Sequence, residues 1–258
     1  MTVLTSPEKP ERIAKLLARA GICSRRDAER LISEGRVSVD GTVLKSPALA
    51  LSGEHDIRVD GKPIPAPEPA RLWRYHKPQG LVTTHKDERG RPTVFEKLPK
   101  ELPRLVSVGR LDLTSEGLLL LTNDGALARE LELPARGWLR RYRVRVHGAV
   151  DPAKLAALEQ GVTVAGLSYG PIRASLDRAQ GSNAWLTVSL REGKNREIRK
   201  VMEHLGLGVT RLIRVAYGPF QLGELERGAL EEVPRRVLRE QLGQAAPAKR
   251  KRDAHHRR

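Results

Sequence analysis

Three stretches of this chain carry residue types that can do chemistry. Asp112, within Val108-Gly109-Arg110-Leu111-Asp112-Leu113-Thr114-Ser115-Glu116-Gly117, has an apolar neighbour on each side and Arg110 two residues away. A carboxylate in that setting sits at the edge of a core and needs a partner or a job, so it reads either as a structural ion pair or as a catalytic group. Arg191-Glu192-Gly193-Lys194-Asn195-Arg196-Glu197-Ile198-Arg199-Lys200 is a basic loop entering a helix. Cations at a helix start form an anion site, for a phosphate or for a carboxylate such as Asp112, or else a solvated helix end. Lys15, Arg19, Arg25, Arg26, Arg30 and Arg36 cluster around an early helical turn. There they can meet the phosphates of structured RNA, or simply form a solvated face.

Other chemistry lacks sequence support. The chain has no Gly-x-Gly-x-x-Gly after a strand, no Gly-x-x-x-x-Gly-Lys-[Ser/Thr] and no His-Glu-x-x-His, so dinucleotide, P-loop and zinc-protease mechanisms drop out. One cysteine, Cys23, cannot build a disulfide or a cysteine-rich zinc site and reads as a small buried hydrophobe. The seven histidines show no ligand spacing, so no metal and no cofactor is expected. With 47 Lys+Arg against 31 Asp+Glu the net charge is +16, which calls for a polyanionic partner. Lys249 to Arg258 supplies +5 of this, leaving +11 on the rest of the chain. Aromatics at 3% give little support for an interleaved stacking platform. No apolar run reaches the ~18 residues of a membrane span and no signal peptide precedes the fold, so a soluble cytoplasmic protein is expected.

These residues need elements to position them. At 258 residues, about one and a half to two domains are expected, and two is the simplest reading. Residues 1–10 lack periodicity and read as a mobile arm. Ile13, Leu16, Leu17 and Ala20 follow helical spacing and Gly21 stops the helix; Ser24 with Asp27 caps a second helix carrying Ala28, Leu31 and Ile32, ended by Gly35. Val37 to Leu44 alternates around Asp40-Gly41, a hairpin signal echoed by Ile57 to Gly61. A proline at every second position makes residues 63–70 an extended linker. Beyond it, strands are expected at Leu72 to Tyr75, Leu118 to Leu121, Arg141 to Val146, Ala184 to Leu190 and Arg211 to Ala216. Asn123-Asp124-Gly125 reads as a hairpin turn. Helices are expected from Asp151-Pro152 to Gly161 and from about Asn195 to Leu205. Strands and helices mix without a strict βαβ rhythm, which favours α+β. Residues 241–258 read as a basic disordered tail.

Arg12-Ile13-Ala14-Lys15-Leu16-Leu17-Ala18-Arg19-Ala20-Gly21-Ile22-Cys23-Ser24-Arg25-Arg26, followed by Glu34-Gly35-Arg36-Val37 and Val39-Asp40-Gly41, resembles an S4-type RNA-binding domain. Further along, Tyr75-His76-Lys77-Pro78-Gln79-Gly80, the Gly109 to Gly125 stretch around Asp112, Arg140-Arg141-Tyr142-Arg143-Val144 and Gly193 to Arg199 resemble, in order, the motifs of the ribosomal RNA pseudouridine synthases of the RsuA/RluB type. Gly90-Arg91-Pro92-Thr93-Val94 and Asn195-Arg196-Glu197 are similar to the RluB-like, large-subunit branch. Glu197 stands where many pseudouridine synthases carry Gln, which leaves open any role given to an amide there.

The resemblance implies an S4-like domain over 11–68 and a catalytic domain over 71–240 with a mixed, mainly antiparallel sheet and flanking helices. It implies isomerisation of uridine in ribosomal RNA, 23S in particular, free or in an assembly intermediate, with no cofactor; nothing in the sequence suggests a dimer, and a monomer is expected. Asp112 would act as nucleophile or base, Tyr142 would pack on the uracil, and Arg199 would pair with Asp112. Arg110, Lys194, Arg196 and Ile198 would line the substrate site, with Lys15, Arg19, Arg25 and Arg26 on RNA phosphates. Two alternatives stay open: a non-catalytic S4-type RNA-binding or ribosome-assembly factor, and a modifying enzyme with an added cofactor, for which no donor pocket is legible.

Overall fold

A computed structural model describes residues 10–242. The expected arm (1–10) and tail (241–258) lie outside these residues except at their inner ends. The first strands are β1 (Glu11–Arg12), β2 (Val37–Val39), β3 (Thr42–Val43), β4 (Ala50–Leu51), β5 (Ile57–Val59) and β6 (Lys62–Pro63), with helices α1 (Ile13–Arg19) and α2 (Arg25–Ser33). The remainder is β7 (Leu72–Lys77), β8 (Val106–Val108), β9 (Glu116–Thr122), α3 (Gly125–Glu132), β10 (Arg140–His147), α4 (Pro152–Ala157), β11 (Val162–Val164), β12 (Leu167–Tyr169), β13 (Ile172–Gln180), β14 (Asn183–Leu190), α5 (Glu197–His204), β15 (Gly208–Tyr217), β16 (Phe220–Gln221), β17 (Leu230–Glu232) and α6 (Arg235–Gln241).

The early module forms for the reasons its sequence advertises. The Ser24 hydroxyl accepts from the Asp27 amide at 3.0 Å and caps α2. Asp40 (φ 48°) and Gly41 (φ 81°) make the left-handed turn between β2 and β3, and Asp60-Gly61 repeats it between β5 and β6. Strand order β3-β2-β5-β6 gives a small sheet. Ile13, Leu17, Ala28, Ile32, Val37, Val39 and Ile57 bury one core between the helices and this sheet, with Cys23 packed partly buried at its edge.

A nine-stranded sheet has the order β13-β14-β10-β15-β9-β7-β17, with β16 on β15 and β8 on β9. The β15–β9 pair is parallel, whereas β13–β14, β14–β10, β10–β15 and β7–β17 are antiparallel, making the sheet mixed and mainly antiparallel. The chain forms two compact units. One takes residues up to Ala70 with Leu81–Leu111 and Leu120–Arg136; the other takes Arg71–Gly80, Asp112–Leu119 and the residues from Gly137 onward.

Two expectations need correction. Asn123-Asp124-Gly125 is not a hairpin turn: the Asp124 carboxylate accepts from the amides of Ala126 (2.6 Å) and Leu127 (3.0 Å) and caps α3. The residues that follow have a 3.6-residue apolar period, with Leu127, Ala128 and Leu131 buried, so Asp124 meets a helix rather than a returning strand. β13 is not legible as a strand in the sequence because every residue from Ser175 to Gln180 is exposed, polar and apolar alike, leaving no alternation to read. Register against β14 defines it instead.

Candidate functional site

The loop carrying Asp112 is held from three directions. Lys77, the last residue of β7, falls on the inward side of the alternation with Trp73 and Tyr75 and is 0% exposed. Its Nζ donates to the carbonyls of Asp112 (3.1 Å), Ser115 (2.9 Å) and Pro78 (3.0 Å), using all three ammonium donors. The Gly80 amide donates to the Leu113 carbonyl at 2.8 Å. From α5, Arg199 Nη2 donates to the Thr114 carbonyl (3.0 Å) and Nη1 to that of Val209 (3.1 Å). The Lys77-Pro78-Gln79-Gly80 segment and Arg199 thus clamp residues 112–115, while the partly exposed Asp112 carboxylate is free of the clamp.

Charge around the loop is predominantly positive. Burial pushes the Lys77 ammonium down to about 8, with Asp112 and Glu116 opposing and Arg214 adding to the shift. Burial, then Arg196, lowers the Arg199 guanidinium, while Asp112 holds it up. Asp112 acts on Arg199 through space, but no N–O contact within 4 Å joins them; the direct pair implied by the resemblance is replaced by the carbonyl of Thr114, two residues on, because Arg199 spends its fork on backbone oxygens. Arg199 Nε is buried without a hydrogen-bond partner.

Tyr142 is buried on β10, directly opposite Arg214 of β15. Arg214 is 2% exposed; its Nε donates to the Leu118 carbonyl at 2.7 Å, its guanidinium lies 5.1 Å from the Tyr217 ring, and its Nη2 is buried without a partner. Arg214 also stands opposite Gly117 on β9. Gly117 has φ +104°, and a Cβ there would fall 2.3 Å from the Arg214 carbonyl oxygen, so only glycine lets the two strands close five residues after Asp112. Next to it the buried Glu116 binds Arg211 (2.5 Å) and Arg227 (3.2 Å). Burial works against its ionisation, but these cations pull its carboxyl below the usual value.

The other expected residues fall in different settings. Arg196 is exposed in left-handed conformation (φ 52°) at the start of α5, and Ile198 is buried at the second position of that helix. Lys194 Nζ is occupied by Glu192 (2.7 Å) and by the Ser168 carbonyl (2.7 Å). The buried Glu197 accepts from the Lys194 amide (2.8 Å), and burial raises its carboxyl. Arg110 is exposed and forms no ion pair with a described residue.

In the first module the structure sorts the six cations. Lys15 and Arg19 both bind Glu11 (2.5 and 3.2 Å), Arg30 binds Asp27 (3.4 Å), and Arg36 binds Asp60 (2.6 Å). Arg25 and Arg26 are exposed in the first turn of α2 and form no ion pair with a described residue. They sit at the positive end of a helix, where cations are disfavoured unless an anion joins them.

Sequence reading did not single out Lys77 or Arg214 as site residues. The signal for Lys77 was its place on the buried side of the Leu72, Trp73, Tyr75 alternation; Arg214 likewise shares a side with Leu212 and Ala216.

Comparison with known proteins follows the same lines. Residues 71–204 match the RNA pseudouridylate synthase family and residues 11–57 the S4 domain family. A Rickettsia felis protein described as an uncharacterized RNA pseudouridine synthase is 49% identical over 88% of this chain and 99% of its own length. The ribosomal large subunit pseudouridine synthase B of Escherichia coli O6:H1 is 45% identical over 86% of this chain and 79% of its own length. A solved pseudouridylate synthase superposes with a TM-score of 0.62 at 26% identity, covering 88% of this chain and 98% of that one. The chain is an S4-bearing enzyme of the RNA pseudouridine synthase class. Within that class it belongs to the RsuA/RluB-type family. No helix among the described residues is long and apolar enough to cross a membrane.

Proposed function

We propose that this enzyme converts a uridine of large-subunit (23S) ribosomal RNA to pseudouridine, with Asp112 as the group that acts at the ribose. The observation that carries this reading is the 45% identity, over 86% of the chain, to a ribosomal large subunit pseudouridine synthase. The clamped loop that leaves the Asp112 carboxylate unencumbered supports the choice of residue.

In the reaction the C1′–N1 bond breaks, the uracil turns, C5 bonds to C1′, and the proton lost from C5 is matched by one taken up at N1, so that electrons and atoms balance without oxidant, reductant or net water. Asp112, as nucleophile or base, takes the developing charge at C1′. Lys77 and Arg199 hold the carboxylate in place through the backbone of its loop. Tyr142 packs on the uracil. Ile198, Arg196 and Lys194 line the approach to α5, with Lys194 released from Glu192 when phosphate arrives, and Arg110 meets the backbone near the target.

Residues 11–68 act as the RNA-binding module and 71–240 as the catalytic one, with Arg25 and Arg26 as the principal phosphate contacts and Lys15 and Arg19 as lesser ones. Extruding the base from its stack costs a few kcal/mol, least in a loop or bulge, and these contacts offset it. The protein works in the cytoplasm as a monomer, on rRNA or an assembly intermediate.

The test is carbodiimide-primer extension across ribosomal RNA from cells lacking the protein, complemented with wild type or Asp112→Asn. One large-subunit stop should vanish with the protein and return only with wild type. Persistence of every stop without the protein overturns the ribosomal assignment.

A further inference from the structure

The side of the sheet opposite Tyr142 carries a charge pattern that the proposed mechanism does not use. Along β10, Tyr142, Val144 and Val146 are buried, while Arg141, Arg143, Arg145 and His147 are exposed on the other face. Register extends that outer row across the neighbouring strands. Arg145 stands opposite Trp185 of β14 and Arg211 of β15, Arg143 opposite Thr187 and Ile213, and Arg141 opposite Ser189. On β13, Arg173 is opposite Ser189 and, past a bulge, Arg178 is opposite Trp185. One row across four strands therefore reads Arg178, Trp185, Arg145, Arg211.

Most of these cations lack a counter-charge. Arg211 is held by Glu116 at 2.5 Å and Arg173 approaches Glu159 at 3.8 Å. Arg141, Arg143, Arg145 and Arg178 form no ion pair with a described residue, and all four are exposed. The only acid in these four strands is Asp177, at the bulge, where it accepts from the Thr187 hydroxyl at 2.9 Å. Arg143 lies 4.9 Å from the Trp185 ring, which orients its guanidinium without neutralising it. Like charges directly opposed, as at Arg145 and Arg211, weaken a sheet. Glu116 serves Arg211 alone, and a phosphate over the row supplies the counter-charge that Arg141, Arg143, Arg145 and Arg178 lack.

We infer that the outer face of β13-β14-β10-β15 is a second RNA-backbone site, holding a segment of the substrate RNA remote from the target uridine. Alternate residues on β10 lie ~6.8 Å apart and so present a regular line of guanidinium forks to successive phosphates. Trp185, Ile213 and Val215 are partly buried between the arginines, and none of the exposed large apolar side chains lies on β10, β14 or β15 to anchor a protein partner, whereas a phosphate polymer requires none. The inference rests on RNA being the substrate, which family membership supplies, and not on the large-subunit assignment.

The test compares the full-length protein with R141Q/R143Q/R145Q in binding to a transcript of a large-subunit rRNA fragment and to a scrambled RNA of equal length. Loss of three phosphate contacts should lower the slope of log K against log[salt] by about 2 on both RNAs and weaken binding at least tenfold. R235Q/R236Q/R239Q, three exposed arginines of α6, controls for net charge and should leave the slope within about 0.5 of wild type. An unchanged slope in the first variant, or an equal fall in the second, overturns the site. Should the glutamine variant fail to fold, ultraviolet cross-linking of the wild-type protein to the transcript decides: adducts on β10 or β14 support the site, and adducts confined to the S4-type module and residues 191–200 refute it. A wild-type protein that binds both RNAs equally would count against the large-subunit assignment and leave this face untouched.

Discussion

Replacing Lys77 by Met removes the group that the structure makes responsible for the shape of the Asp112 loop. Three carbonyls, those of Pro78, Asp112 and Ser115, lose their donor, and the Ser115 bond is fully buried. An orphaned buried acceptor costs about 1–3 kcal/mol, the two part-buried ones can recruit water, and the desolvation of the ammonium is returned, so a net loss of about 1–3 kcal/mol is expected. A displacement of the loop by about 1 Å should cost a further ~100-fold in single-turnover rate.

The pH dependence has a definite sign. Lys77 titrates at about 8 in the folded protein against 10.5 for a free lysine, so the unfolded state holds more protons between those values and this group's contribution to stability rises with pH there. Activity runs the other way, because a neutral amine has two N–H groups for three carbonyls. The rate of pseudouridine formation should fall as pH rises through about 8 in wild type, and Lys77→Met should lack that limb. Denaturant unfolding and single-turnover kinetics from about pH 6.5 to 9.5 measure both. A variant within about 1 kcal/mol of wild-type stability and threefold of its rate, or one that keeps the same falling limb, would refute the reasoning.

Further outcomes are expected. Asp112→Asn should bind RNA as wild type does but yield no pseudouridine; near-normal product formation removes Asp112 from the reacting atoms. Exchanging Arg25 and Arg26 for Gln should reduce the salt-dependence slope by about 1.4, whereas Lys15→Gln with Arg19→Gln should reduce it by about half as much, since Glu11 engages both and offsets one of the two charges; equal effects would contradict the sorting of these cations. Gly117→Ala should lower stability by about 3 kcal/mol or more through positive φ and collision with the Arg214 backbone, and a melting temperature within a few degrees of wild type would show that the strands can part there.

Much of the local structure was written in short-range signals. The Ser24 cap, the Gly21 and Gly35 stops, the two Asp-Gly turns and the Asp151-Pro152 helix start depend on side chains meeting their own backbone within a few residues, and so can be read without knowing the fold. The four ordered motifs identified the family. Asp124 was misread because a cap and a turn use the same residue types, and only the spacing of the apolar residues beyond it separates them.

What the tertiary structure decided is which charges are free and which are spent. In the sequence, Lys15, Arg19, Arg25, Arg26, Arg30 and Arg36 are alike; the fold brings Glu11 and Asp60 to three of them, and Asp27 engages Arg30, leaving Arg25 and Arg26 exposed. Lys77 and Asp112 are 35 residues apart, and only the closure of the sheet sets the ammonium beneath the loop. Arg199, expected on the Asp112 carboxylate, reaches the Thr114 carbonyl instead. Residue type and near-neighbour spacing determine caps, turns, alternation and motif; long-range partners follow from which strands lie side by side, and these pairings are encoded in no single stretch of the chain.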